Sequence, residues 1–394
     1  MNRSQPPKDS LFQPRRHPGQ RVLLTGQVGL DKKEVVDELA RLADEGGRHV
    51  DVFHVGDMMY AEAPDVVPGR ILDLPRQRLE QLRRSVFKDI LAAAPNSPNM
   101  VINTHATFRW RHGLFHAYDH ADMVKLDADL YITLIDNAHA VHERLLREHD
   151  IHHTLKDIMV WREEEILATR AMAEAVRGYG HAFIVSRTDS KSTAETILSL
   201  MFQPNRKRVY PSFPMTHVMG MPDVLAEIDR FRARLAEYFI TFDPGDVDEK
   251  DLLFQAGAAI QKGRDEFTIP VNGRQLTLKA ADVTHIARDI DGQIYARDFM
   301  LIDQSDMIIT YIPVMPDGRP GLSSGVEREL QHAFETTKEV YVVWTPKNEP
   351  SPFVTATATR IYSNLDQLFE EFQAKGYIDM YQHDLPVAAP KSTG

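Results

Sequence analysis

Residues 21–55 read RVLLTGQVGLDKKEVVDELARLADEGGRHVDVFHV. The run Arg21–Thr25 is short and apolar and stops at Gly26, which is the pattern of a strand buried on both faces. After a Gly-containing turn, Val35, Val36, Leu39 and Leu42 fall on one helical face, and Gly46 suits a C-terminal cap. His49–Val55 is a second strand. Strand, helix and strand in this order predict a βαβ unit and a parallel sheet.

Working outward, Met100–Asn103, Leu130–Ile135 and His181–Val185 read as further buried strands. Helices are expected over 76–94, 138–148 and 159–178. A basic run, Asn205–Arg208, closes a polar stretch, and a second α/β pattern begins behind it. There, 209–214, 307–312 and 340–344 read as strands, and 221–239, 251–262, 325–337 and 365–375 as helices. A further helix is expected within 280–306. Asn272–Gly273 centres a β-hairpin over 267–278. The expected fold class is therefore α/β, with two doubly wound parallel-sheet domains. The expected divisions are a disordered arm at 1–19, a first domain at 20–187 and a linker at 188–207. A second domain at 208–380 and a tail at 381–394 follow.

The chain has 394 residues and no cysteine, so thiol catalysis, disulfides and Cys-ligated metals are excluded. Absence of cysteine suits a reducing cytoplasm, the expected location. Acidic residues number 57 against 46 basic ones, for a net charge of −11. Such a balance argues against general nucleic-acid binding, which needs a basic face. No apolar run approaches the ~18 residues that span a bilayer. Histidines crowd the stretch His105–His153, but without an HExxH frame, so no metal site is expected. The acidic loop 243–251 reads as a solvated segment, with cation binding the alternative.

Gly26-Gln27-Val28-Gly29-Leu30-Asp31-Lys32-Lys33 stands between strand and helix, where a phosphate-binding loop belongs. In such loops glycines let N–H groups close around phosphate oxygens, a Lys reaches the terminal phosphates, and a Ser or Thr holds Mg²⁺. Here Asp31 replaces the Gly before the Lys, and Lys33 replaces the hydroxyl. Gly26, Gly29, Lys32 and Lys33 are the candidate nucleotide-binding residues. With GDMMYAEA (56–63), LPRQRLEQLRRSVFKDI (74–90), VINTHATFRWRHGLF (101–115) and LDADLYITLIDNAHAVHERLLREHD (126–150), residues 21–186 resemble archaeal-type adenylate kinase. The resemblance implies a P-loop kinase fold, with ATP and Mg²⁺ as cofactors if the domain is active. The chain departs from that pattern at Asn103 and at His152, His153 and Thr154, where the family places an Asp and lid arginines; Arg144 and Arg147 remain.

Three segments of the second half share an order: Val209-Tyr210-Pro211-Ser212; Tyr295–Asp306, reading YARDFMLIDQSD; and Ser323–Ala333, reading SSGVERELQHA. Residues 207–346 resemble the nucleoside 2-deoxyribosyltransferase superfamily, and within it the 2'-deoxynucleoside 5'-monophosphate N-glycosidase branch. The resemblance implies that Glu329 is the nucleophile. It also implies that Asp298 orients the sugar or aids proton transfer, and that Tyr210 helps to position the nucleophile. Ser323, Ser324, Gly325 and Arg297 would bind substrate, and the superfamily's sites are usually completed across subunits, so a homo-oligomer is expected. Pro214 and Thr216 stand where the monophosphate branch has Ser and Arg, with His217 or Arg206–Arg208 as candidate substitutes. The inserted PDGRPGL (316–322) is expected to close over a larger ligand. Taken alone, Glu329 would read as a first-turn glutamate favoured by the helix dipole. Glu327 is the competing nucleophile.

The expected function is cleavage of an N-glycosidic bond in a nucleoside, nucleotide or related dinucleotide, by hydrolysis or base transfer and without a cofactor. The alternatives are a nucleoside monophosphate kinase, a nucleotide-sensing pseudo-kinase, or a defence effector that depletes nucleotides or NAD.

Overall fold

The computed structural model describes residues 17–110, 113–149, 152–215 and 218–378. Its strands are β1 Arg21–Thr25, β2 Asp51–His54, β3 Met100–Asn103, β4 Thr107–Trp110, β5 Gly113–His116, β6 Leu130–Ile135 and β7 Ala182–Ser186. They continue as β8 Arg208–Ser212, β9 Ile240–Thr241, β10 Glu266–Val271, β11 Arg274–Lys279, β12 Met307–Ile312, β13 Glu339–Trp344 and β14 Arg360–Tyr362. The helices are α1 Lys32–Glu45, α2 Val55–Glu62, α3 Arg76–Ala93, α4 His120–Leu126, α5 Ala138–Arg144, α6 Leu155–Val176 and α7 Ser190–Phe202. After them come α8 Pro222–Tyr238, α9 Lys250–Gln261, α10 Ala280–His285, α11 Ala287–Gln304, α12 Ser324–Glu335, α13 Pro352–Thr355 and α14 Leu365–Ala374.

The fold is α/β, with two parallel five-stranded sheets. The first has the order β2-β3-β1-β6-β7 and the second β14-β13-β12-β8-β9. Strands β1 and β12 are buried along their whole length, as runs sandwiched between helices must be. Two compact units result. One takes the chain to Leu134 together with Val160–Ile184, and the other takes Ile135–Met159 and everything from Val185 onward.

In the first unit, Leu23, Ile102 and Tyr131 of the sheet pack with Val86, Phe87 and Ile90 of α3. In the second, Val209, Ile309 and Val343 pack with Ile228, Phe231 and Leu235 of α8 and with Leu368, Phe369 and Phe372 of α14. Each fully buried Leu or Phe of this kind contributes roughly 1.5–3 kcal/mol. The stripe Val224, Ile228, Phe231 and Leu235 repeats at helical spacing and is buried throughout, which fixes the face α8 turns to its sheet.

The expected strand over 49–55 is shorter, because Val55 already begins α2. The hairpin β10–β11 turns at Asn272 and Gly273, both with positive φ, 50° and 74°. These are the left-handed angles for which Asn and Gly suit the turn. The expected arm and tail lie outside the described residues except for 17–19. No helix among the described residues is long and apolar enough to cross a membrane.

Candidate functional site

In the second sheet β8 is flanked by β12 on one side and β9 on the other. Chain order reverses direction between β8 and β12, which makes that pair the topological switch point where ligands of doubly wound sheets bind, beyond the strands' carboxyl ends. Tyr210 and Ser212 alternate along β8 and so share one face. From α12, which follows β12, Glu329 reaches that face. The Tyr210 hydroxyl donates to Glu329 Oε1 at 3.0 Å, and Ser212 Oγ donates to Oε2 at 2.5 Å. Both carboxyl oxygens are thus held by buried hydroxyls of one strand. These bonds go to Glu329 and not to its competitor Glu327.

Burial, reinforced by the Asp298 charge, pushes the Glu329 carboxyl up to about 8; the bonds from Ser212 and Tyr210 oppose the shift. Asp298, on α11 and 8% exposed, is raised to about 6, first by burial and then by Asp248 and Asp243, while Arg297 pulls it down. Two carboxyl groups with pKa values pushed apart are the arrangement from which acid–base or nucleophilic roles are drawn. The Tyr210 hydroxyl is raised well above its ordinary value by burial and by the charges of Asp298 and Glu329, so it stays a donor.

Ser323 is the N-cap of α12, and its Oγ accepts the Val326 N–H at 3.2 Å. Ser324 and Gly325 form the exposed first turn. Arg297, expected at the substrate, is only 3% exposed. Its Nη2 donates to Asp298 Oδ1 at 3.3 Å and to the Pro244 carbonyl at 3.5 Å. The basic run is engaged elsewhere. Arg206 donates to the Tyr238 carbonyl at the end of α8, and Arg208 Nη2 pairs with Asp306 at 2.5 Å. Thr216 and His217 lie outside the described residues. The insertion 316–322 folds back as a hairpin flap, with Met315 N–H on the Arg319 carbonyl and Gly321 N–H on the Pro313 carbonyl, each at 2.8 Å. It borders a cavity of about 450 Å³ lined by Met221, Met315, Arg319 and Leu322.

The acidic loop also joins this region. Arg232 binds Asp243 at 2.7 Å and Asp246 at 3.3 Å. Burial, together with the Asp243 charge, raises Asp246 to about 7. No cluster of His, Cys, Asp or Glu able to hold a metal is found among the described residues. Ser212 was not singled out by sequence reasoning, although it sits in the same quoted tetrapeptide as Tyr210. Strand alternation was the signal that would have found it.

In the first unit the Gly-rich loop leaves the carboxyl end of central β1. Gly26 has φ 132°, and a Cβ there would lie 2.6 Å from the Leu134 carbonyl oxygen. Gly29 has φ 83°, and Asp31, in the place of a glycine, keeps a left-handed φ of 46°, which Asp tolerates better than most residues. Lys32 is buried, and its Nζ donates to the carbonyls of Gly26 at 2.6 Å and Gln27 at 3.1 Å. Burial lowers its pKa to about 8. Lys33 is exposed and pairs with Asp57 at 2.5 Å. The Gly26 N–H is accepted by Glu165, whose buried carboxylate also takes the N–H groups of Ala106 and Thr107. Arg144, one of the two arginines that the kinase resemblance leaves near a lid, is buried on Asp136 at 2.8 Å and belongs to the second unit.

No protein-family model matches the chain, and no curated protein matches it. Among solved structures it is similar to shikimate kinase from Bacteroides thetaiotaomicron, at 14% identity over 46% of this chain and 97% of that one, with a TM-score of 0.32. Shikimate kinase from Acinetobacter baumannii, in complex with shikimate, matches at 14% identity over 47% and 94%, with a TM-score of 0.35. A gluconokinase from Sinorhizobium meliloti 1021 matches at 13% identity over 48% and 99%, with a TM-score of 0.27. These matches span about half of the chain and lend nothing to the deoxyribosyltransferase resemblance. The P-loop kinase-like fold of the first unit rests on its strand order and on the loop that follows β1.

Proposed function

We propose that the second unit cleaves the N-glycosidic bond of a nucleoside, nucleotide or related dinucleotide, with Glu329 as nucleophile. The observation that carries this reading is the clamp of Tyr210 and Ser212 on both Glu329 oxygens at the switch point of the sheet. One Glu329 oxygen bonds to C1' as the C1'–N bond breaks, and the bonding pair leaves with the base nitrogen, which takes its proton from water. Water then attacks C1' of the ester and passes its proton to the hydroxide left by the first step, giving the free sugar and restoring the carboxylate; a second base in its place gives transfer. Asp298 as carboxylate accepts a sugar hydroxyl. The first turn of α12, at Ser323, Ser324 and Gly325, offers N–H groups to a substrate phosphate. No cofactor enters this chemistry. The purified protein, given a panel of nucleosides, nucleotides and NAD, is expected to release free base detectable by mass spectrometry. Glu329→Gln, folded by circular dichroism, should release none; wild-type rates in that variant would refute the assignment. Toxicity of the wild type in cells, lost in Glu329→Gln, would extend the reading to a nucleotide- or NAD-depleting effector.

A second reading belongs to the first unit, where the loop path and Lys32 favour a nucleotide-sensing pseudo-kinase. The residues do not fit Mg·ATP: the hydroxyl position for the metal is Lys33, tied to Asp57, and Asp31 puts a carboxylate at the loop. Phosphoryl transfer is therefore no part of this reading. Calorimetric titration with AMP, ADP and ATP should show binding that Lys32→Ala removes. ATP-dependent phosphorylation of a nucleoside monophosphate would replace the pseudo-kinase with a kinase.

A further inference from the structure

Six carboxyl groups and two guanidinium groups are drawn together in the second unit. Asp243 and Asp246 come from the loop after β9 and are held by Arg232. Asp248 and Glu249 follow on the same loop, Asp298 comes from α11 and Glu329 from α12. Arg297 faces Asp298 and Glu249, which Arg232 does not pair with. Its Nη2 bridges Asp298 Oδ1 and the Pro244 carbonyl, which ties α11 to the acidic loop. Its Nη1 lies 3.9 Å from Oε2 of the buried Glu249, whose Oε1 accepts the Ala138 N–H at 3.1 Å. Nε and Nη1 of Arg297 have no hydrogen-bond partner among the described residues. A fully buried guanidinium cannot leave for a substrate without stranding those carboxylates, because a buried charge deprived of its partner is strongly destabilising.

We infer that Arg297, backed by Glu249, is a positioning residue that fixes the Asp298 carboxyl group beside Glu329. The inference rests on the glycosidase reading and assigns Arg297 a task other than substrate contact. The other titratable groups facing Asp298 are the carboxyl groups of Asp243 and Asp248 from the loop and Glu329 from α12, and the Tyr210 hydroxyl from β8, which burial keeps neutral. Burial favours the protonated Asp298 carboxyl, the charges of Asp248 and Asp243 add to it, and Arg297 opposes them. Its planar fork also sets the direction of Asp298 Oδ1, which the compact ammonium of a lysine would not.

The test uses full-length Arg297→Gln and Arg297→Lys, each checked for folding by circular dichroism. Titration of the Asp298 carboxyl carbon is followed by ¹³C NMR, with Asp298→Asn as the assignment control. In Arg297→Gln the Asp298 midpoint should move up, and kcat on the best substrate should fall on the order of 100-fold with little change in KM. Arg297→Lys should return the midpoint toward wild type while kcat stays depressed, and it carries the test if Arg297→Gln does not fold. An unchanged Asp298 midpoint, or a raised KM with kcat intact, overturns the inference. Full activity in Glu329→Gln would instead bring down the glycosidase reading, even if the NMR coupling of Arg297 to Asp298 were seen.

Discussion

Burial drives Glu329 from an ordinary 4.5 up to about 8, while the hydroxyls of Tyr210 and Ser212 pull it back. Between those two values the folded state holds a proton that the unfolded chain has released. The stability contributed by the protonated form is complete below about 4.5 and declines as pH rises toward about 8. Glu329→Gln removes this titration and should therefore raise Tm more at pH 8 than at pH 5, as read by thermal melts; an equal change at both values would speak against a buried, titrating nucleophile. On the proposed glycosidase reading, attack on C1' needs the ionised group, so kcat/KM should climb with pH through about 8. Tyr210→Phe deletes one bond to that carboxylate, an interaction worth roughly 1.5–3 kcal/mol. The rate should drop about ten- to a hundredfold, and the rising limb of the pH profile should move alkaline, since the lost bond had favoured the charged form. The sequence motifs brought Tyr210, Asp298 and Glu329 to notice together because their spacing follows strand, helix and helix start. They point to Arg297 as a substrate contact and cannot set that apart from the positioning role inferred above, because an arginine that serves a neighbouring carboxylate and one that serves a ligand look alike in a linear string.

The same division runs through the elements. Largely apolar runs such as β1, β3, β6 and β12 have the observed bounds that their composition predicts, because a strand covered on both faces is near-continuously apolar. Strands β9 and β14, with two and three residues, are too short to carry a period. The hairpin of β4 and β5 was likewise unread, since its alternation is broken by charged and histidine side chains. The loop after β1 shows what a local motif can and cannot fix. Its glycines and Lys32 identify the path, and the substitutions at Asp31 and Lys33 bear on the ligand without disturbing that path. Gly26 is the position with least tolerance: its φ of 132° is disfavoured for other residues, and a methyl group would collide with the Leu134 carbonyl. Gly26→Ala should destabilise the protein on the order of 3 kcal/mol in urea melts. Ser323→Ala, which removes the N-cap bond of α12, should lose about 1 kcal/mol. A neutral outcome at Gly26 would mean that the loop does not follow the path described.

At the scale of the whole molecule, the chain enters the second unit twice. A linear reading assigns 20–187 to one domain, yet Ile135–Met159 belong with the later residues. Nothing local marks such an excursion: α5 and its flanks are ordinary helical sequence, and their partners lie about a hundred residues further on. Those partners bear directly on the site. Asn137 Oδ1 accepts the Asp248 N–H at 3.0 Å, and its Nδ2 donates to the Asp246 carbonyl at 3.3 Å. The Ala138 N–H binds Glu249, and Arg144 Nη2 donates to Asn272 Oδ1 at 3.0 Å. The acidic loop that surrounds Arg297 is thus braced by a segment drawn from the first half of the chain. A fragment spanning 188–394 contains Tyr210, Ser212, Arg297, Asp298 and Glu329, but it leaves Glu249 without its Ala138 partner and the loop without Asn137. Removing partners of buried polar groups costs about 1–3 kcal/mol for each group left unsatisfied, and several are exposed to that loss at once. The fragment should therefore melt well below the full chain and release less base per folded molecule. Asn137→Ala in the full-length protein should reproduce part of the activity loss with the sheet intact. Equal stability and turnover in the fragment would show that the distal half is self-sufficient and that the bracing from 135–159 has no bearing on the chemistry.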